Sequence, residues 1–133
     1  MSNRQTLAPD AAAIERLAEQ AIAALPDHFR KFLHDVVLRI DELASDDILT
    51  ELGIEDPFEL SGLYTGRPIG EQNSTASGDL PAMIHLFRRA LLDEWVDTGV
   101  GLEELITHVI VHEVGHHFGL SDADMHAIED QAG

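Results

Sequence analysis

Apolar residues Ile14, Leu17, Ala18, Ala21, Ile22 and Leu25 recur at three- and four-residue spacing behind Pro9 and Asp10, and Pro26 ends the series. That period predicts an amphipathic helix with one face for a core. A short helical turn follows over residues 27–32. Val36 to Ile40 is dense in β-branched residues and predicts a strand, and its nearly continuous apolar character points to a sheet interior. Ser45 is placed to cap a helix running through Leu52, with Gly53 as its stop. Residues 54–78 carry Pro57, Gly62, Gly66, Pro68, Gly70, Ser74, Ser77 and Gly78 and predict a long loop, of a length that usually serves function or stays unstructured. Within it, Leu60 to Gly66 (LSGLYTG) is apolar enough to lie against the core. Met83 to Phe87 (MIHLF) predicts a second strand. Residues 90–97 predict a short helical turn with Trp95 packed inward, closed by Gly99 and Gly101.

From Leu102 to Phe118 helical spacing returns through Leu102, Leu105, Ile106, Val109 and Ile110. Val109, Ile110 and Val111 are β-branched, but one continuous helix accounts for the periodicity better than a strand does. Its end reads HEVGHHFGLSD, residues 112–122. His112 and His116 stand one turn apart on one face, so their imidazoles can converge on a single divalent ion. Glu113 is rotated by about 100° from His112, which sets its carboxylate beside such an ion, where a general base belongs. Gly119 can take the left-handed conformation that turns the chain back, and Asp122 could then swing under the ion as a third ligand. Asp124, His126 and Glu129 lie close behind it and compete for that place. Ser121 and Asp124 also have the form of a capping box opening a last helix through Met125 and Ile128, a rival explanation for the acidic residues.

The other polar side chains divide by position. His108 extends the His112, His116 series but lies roughly 12 Å from His116, too far to share an ion, and is expected to support the ligands or to hydrogen-bond within the core. His117 points away from the ion, toward solvent or the sheet. Tyr64 could bond a substrate carbonyl, although a tyrosine packing a loop onto the core is the commoner case. His85 reads as a packed or surface histidine, and Arg88 and Arg89 as local charge balance.

Composition narrows the chemistry. The 133 residues allow one domain with a modest core; a flexible tail over 1–9 and a single domain over 10–133 are expected. The absence of cysteine excludes disulfides and thiolate metal sites, so a transition-metal site must use His with Asp or Glu. The 25 Asp+Glu against 8 Lys+Arg give a formal net charge of -17. Such a field repels phosphate backbones and anionic headgroups, so neither nucleic acid nor membrane is an expected partner; it favours cations and a basic peptide or protein substrate. With no membrane-length apolar run and no leader-like start, the chain is expected to be cytoplasmic.

HEVGHHFGLSD resembles the zincin pattern H-E-x-x-H-x-x-G-x-x-D, with Asp in place of the usual third His of metzincins. With LSGLYTG and the strand around MIHLF, the chain resembles the bacterial family of minimal metalloprotease-like zincins over roughly residues 10–130. The resemblance implies a compact α+β fold, a small sheet packed on the N-terminal helix and the metal helix. It also implies a zinc (Zn2+) cofactor held by His112, His116 and Asp122, with Glu113 as catalytic base. The chain departs from larger metzincins in one respect. Only 11 residues follow Asp122, and Met125 stands too close to it to form their methionine turn.

These features predict a zinc-dependent metallopeptidase. The alternatives are a non-catalytic zinc-stabilised interaction domain, a metal hydrolase acting on RNA, which the acidity disfavours, and a metal-free acidic interaction domain. An extended substrate would pair with an exposed strand edge near the metal; whether MIHLF supplies that edge is not set by the sequence.

Overall fold

The computed structural model describes residues 7–66 and 81–120. Over these the chain is α+β, with five α-helices and a three-stranded mixed sheet. Helix α1 spans Ala11–Ala23, opened by the Asp10 carboxylate, which accepts from the Ala13 N–H at 2.9 Å. A single turn, α2 (Asp27–Arg30), follows the break at Pro26. Strand β1 (Val37–Asp41) leads into α3 (Asp46–Leu52), which has the expected ends: Ser45 Oγ accepts from Ile48 N–H at 3.3 Å, and Gly53 is left-handed at φ 70. A 3-10 turn at Pro57–Glu59 and strand β2 (Gly62–Thr65) follow, then β3 (Met83–Phe87), α4 (Arg88–Thr98) and α5 (Leu102–His117).

The strand order is β1-β3-β2, with β1 parallel and β2 antiparallel to β3. The question the sequence leaves open is answered here: MIHLF is the central strand, so it offers no free edge. Two sequence expectations change. The Val36–Ile40 segment forms an outer strand and not the sheet interior: Val37 and Arg39 are exposed while Leu38 and Ile40 are partly covered, the alternation of a half-buried strand. The second change is β2, a strand inside the stretch expected to be loop. Its four residues are too few, and its glycine too poor a strand former, for the pattern to stand out.

Alternation on β3 assigns the two faces of the sheet. Ile84 and Leu86 enter the main core, where Ile14, Ala18, Ala21 and Leu25 of the N-terminal helical segment meet Ile106, Ile110, Val111 and Val114 of α5. Phe87 points the other way, into a smaller cluster with Ala44, Leu49 and Ala90. Arg88 follows as the first residue of α4, giving an 11-residue helix longer than the turn expected. Its guanidinium ties the sheet end to the N-terminal segment through Pro9 O and Glu42 Oε1, both at 2.8 Å.

Helix α5 takes the predicted course. Its apolar residues Leu105, Ile106, Val109, Ile110, Val111 and Val114 are buried, and this enclosure overrides the weak helix propensity of the β-branched run. Beyond Phe118, Gly119 is left-handed at φ 67. Leu120 N–H donates to Gly115 O at 2.9 Å and Gly119 N–H to His116 O at 3.0 Å, a Schellman closure that satisfies two terminal carbonyls.

Candidate metal centre

Two neighbouring stripes on α5 build the site. On one, His112 and His116 bring their rings to 5.0 Å between centroids, at 82° to one another. His112 is partly covered and His116 exposed, so the imidazoles stand at the surface rather than in the core. On the next stripe Val109, Glu113 and His117 are spaced one turn apart and are all buried. Ligand atoms of His112, Glu113 and His116 lie within 4.8 Å of one another, a donor set of two imidazoles and a carboxylate that suits a divalent transition metal in a chain without thiols.

Strand β2 covers the second stripe. Two strand residues advance about 6.7 Å and one helical turn about 5.4 Å, so the strand and helix can stay nearly in step. Gly62 lies against Val109, and the match requires a glycine: a Cβ there would stand 2.5 Å from Val109 Cγ1 and 3.5 Å from Glu113 Cγ. Two residues on, Tyr64 reaches both remaining members of the stripe. Its backbone N–H bonds the Glu113 carboxylate, and its hydroxyl lies 2.7 Å from His117 Nδ1.

The pairing of β2 explains the first of these bonds. Phe87 N–H donates to Ser61 O at 3.0 Å, and Leu63 sits opposite His85. Antiparallel alternation therefore turns the backbone groups of Ser61 and Leu63 toward β3, and those of Gly62 and Tyr64 toward the free edge. At that edge, Glu113 takes the Tyr64 donor.

Burial and hydrogen bonding act in opposite directions on Glu113. At 6% exposure its carboxyl has lost most of its hydration, which pushes its pKa from the usual 4.5 up to about 7, while the Tyr64 N–H pulls it back by a smaller amount. Burial also lowers the pKa of His117 and raises that of Tyr64. His117 Nε2 lies 3.3 Å from Phe32 O, which can only accept. Nε2 therefore carries the proton, Nδ1 is the acceptor, and the Tyr64 hydroxyl donates to it.

The remaining sequence candidates separate clearly. His112, Glu113 and His116 come together, while Asp122 and its rivals Asp124, His126 and Glu129 lie outside the described residues, as does the capping box at Ser121. His108 is exposed, against the buried role expected of it. It lines a recess of about 250 Å3 with Glu94, Thr98, Val100, Glu104 and Leu105, one turn before His112. His117 takes the sheet-facing alternative. His85 is a packed histidine whose Nε2 lies 3.0 Å from Thr65 Oγ1, and burial lowers its pKa. Sequence reasoning missed the part played by Tyr64 and His117 together. The available signal was the four-residue spacing of Val109, Glu113 and His117, a second stripe beside the histidine one.

A buried glutamate between two convergent histidines on a core helix, under a sheet edge, is the arrangement of a zincin-type metal centre. Residues 33–132 match the family of zincin-like metallopeptidases, and the chain belongs to that family. No protein of curated function matches it. Among the described residues no helix is long and apolar enough to cross a membrane.

Proposed function

We propose that the chain is a zinc-dependent peptidase in which His112, His116 and Asp122 hold the metal and Glu113 is the general base. The family supports a metallopeptidase-type function. The observation that carries the finer reading is the placement of Glu113: a buried carboxyl with an oxygen within 4.8 Å of the ligand nitrogens of two imidazoles. A zinc ion held there would supply Lewis-acid chemistry, polarising the scissile carbonyl and making water a stronger nucleophile.

The chain's own residues move the proton. Glu113 accepts it from the attacking water at a carboxylate oxygen and delivers it to the departing amine. Burial raises the proton affinity of this carboxyl, which suits it to receive the proton, and a cation beside it would favour the ionised form needed for the first step. Tyr64 N–H holds the carboxylate during the exchange. The substrate is a peptide or protein segment, and the acidity of the chain supports a preference for basic sequence.

Metal analysis of protein purified without a histidine tag, alongside Asp122→Ala, tests the ligand set. Close to one zinc per chain, weakened in the variant, is the expected result. No zinc after supplementation, or zinc retained unchanged in Asp122→Ala, would refute the assignment. Turnover of a mixed peptide library that disappears in Glu113→Gln completes the test.

A further inference from the structure

Tyr64 lies along α5 between Glu113 and His117, bonded to the first through its backbone and to the second through its hydroxyl. The two acceptors are one helical turn apart, a distance that a tyrosine side chain can span. His117 is itself fixed: it is 4% exposed, and its other ring nitrogen donates to Phe32 O at 3.3 Å. The Phe118 ring packs edge-on against Phe29 and Phe32 with centroids 5.2 and 5.8 Å away, which anchors the same end of the helix. At the other end of the strand, Ser61 Oγ donates to Glu94 Oε1 at 2.8 Å. Strand β2 is thus pinned to α4 at its start and to α5 near its finish, while its outer edge has no neighbouring strand among those described.

We infer that His117 is a positioning residue: by accepting the Tyr64 hydroxyl it clamps the edge of β2 onto α5, and so keeps the Tyr64 N–H on Glu113. The inference rests on the peptidase reading for its catalytic consequence, because the clamp aims the carboxylate that reading calls the base. Nothing in the metal ligand set calls for it. H-E-x-x-H fixes where Glu113 leaves the helix but not its outer torsions, and an unrestrained glutamate has three to turn. The Tyr64 N–H removes that freedom only while β2 stays seated. An edge strand of four residues, paired on one side, needs the additional tie.

Three variants of the full chain test this. Tyr64→Phe removes the hydroxyl alone. His117→Phe keeps a buried ring without an acceptor, and His117→Asn returns an acceptor oxygen near the place of Nδ1. Amide hydrogen exchange of 15N-labelled, zinc-supplemented protein is the direct readout. Exchange at Tyr64 should accelerate about 10-fold or more in Tyr64→Phe and His117→Phe, stay near the wild-type rate in His117→Asn, and leave β3 amides unchanged in all three.

With a fluorogenic lysine- and arginine-rich peptide as substrate, kcat should fall about 10- to 100-fold in the two disruptive variants. KM and zinc content should hold, and His117→Asn should recover most of the loss. Unchanged Tyr64 exchange in both disruptive variants would overturn the clamp. A kcat loss that His117→Asn does not recover, or one accompanied by zinc loss, would overturn the positioning role in favour of a structural one. If His117→Phe does not fold, Tyr64→Phe carries both readouts. If wild-type protein cleaves nothing, the peptidase reading fails, and the exchange data still decide the clamp.

Discussion

The two outer strands of the sheet do different work. β1 carries Val37 and Arg39 into solvent, and Arg39 spends its guanidinium on Asp41 of the same strand at 3.0 Å. β2 has a glycine where β1 has large side chains, lies flush on α5 and gives a backbone donor to the site. One edge closes the sheet, and the other lies against the candidate metal centre. The contrast lies in what each strand faces: β1 meets α1 through ordinary apolar packing, whereas β2 meets the one stripe of α5 that contains a buried carboxyl.

The contrast is sharpest in turnover. Glu113→Gln keeps the Tyr64 bond through its amide oxygen but cannot accept a proton, so hydrolysis should drop about 10²- to 10⁴-fold with zinc content unchanged. Peptide cleavage and metal analysis on one preparation check both parts; substantial residual cleavage would remove Glu113 from the mechanism.

The same substitution should stabilise the metal-free protein at high pH. Glu113 titrates near 4.5 when unfolded and near 7 when folded. The folded chain therefore holds this proton more tightly: the stability linked to it is fully present below 4.5, is lost as pH rises toward 7, and above 7 is gone, a total change of about 3 kcal/mol. Urea unfolding of the metal-free wild type and Glu113→Gln at pH 5 and pH 8 isolates the group. The variant's advantage should be larger at pH 8, and an equal difference at both values would contradict the burial argument.

Gly62→Ala should cost about 1–3 kcal/mol, because the new methyl meets the stiff side chain of Val109. Adding Val109→Ala should recover part of it, a coupling that a double-mutant cycle measures. The smallest effect belongs to the other edge. Arg39→Ala removes an exposed ion pair and should change stability by less than about 0.5 kcal/mol, with cleavage unaltered; a large loss of turnover there would erase the distinction between the edges.

Elements with a strong period or a cap were legible in the sequence. Asp10, Ser45 with Gly53, and Gly119 mark helix ends by local bonding that depends on few neighbours, and the apolar residues of α5 outweigh its β-branched run. Strand MIHLF was legible as an element, but its central place was not, because position in a sheet is fixed by partners far along the chain. β2 was hidden for the same reason: Gly62 is required by Val109, 47 residues later, and no local pattern announces it. Within the site, the meeting of His112, Glu113 and His116 follows from helix geometry alone. The Tyr64 to His117 bond joins two segments 53 residues apart.

The seating of β2 on α5 has a consequence for anyone transplanting this centre. A helix bearing His112, Glu113 and His116, grafted onto an unrelated scaffold, would carry over the ligand spacing and leave the tuning of the acid behind. Without a glycine-bearing strand to exclude water and present a peptide N–H, the grafted glutamate would stay hydrated and ordinarily acidic. The portable unit is a helix and a strand together, residues 62–64 with 109–117.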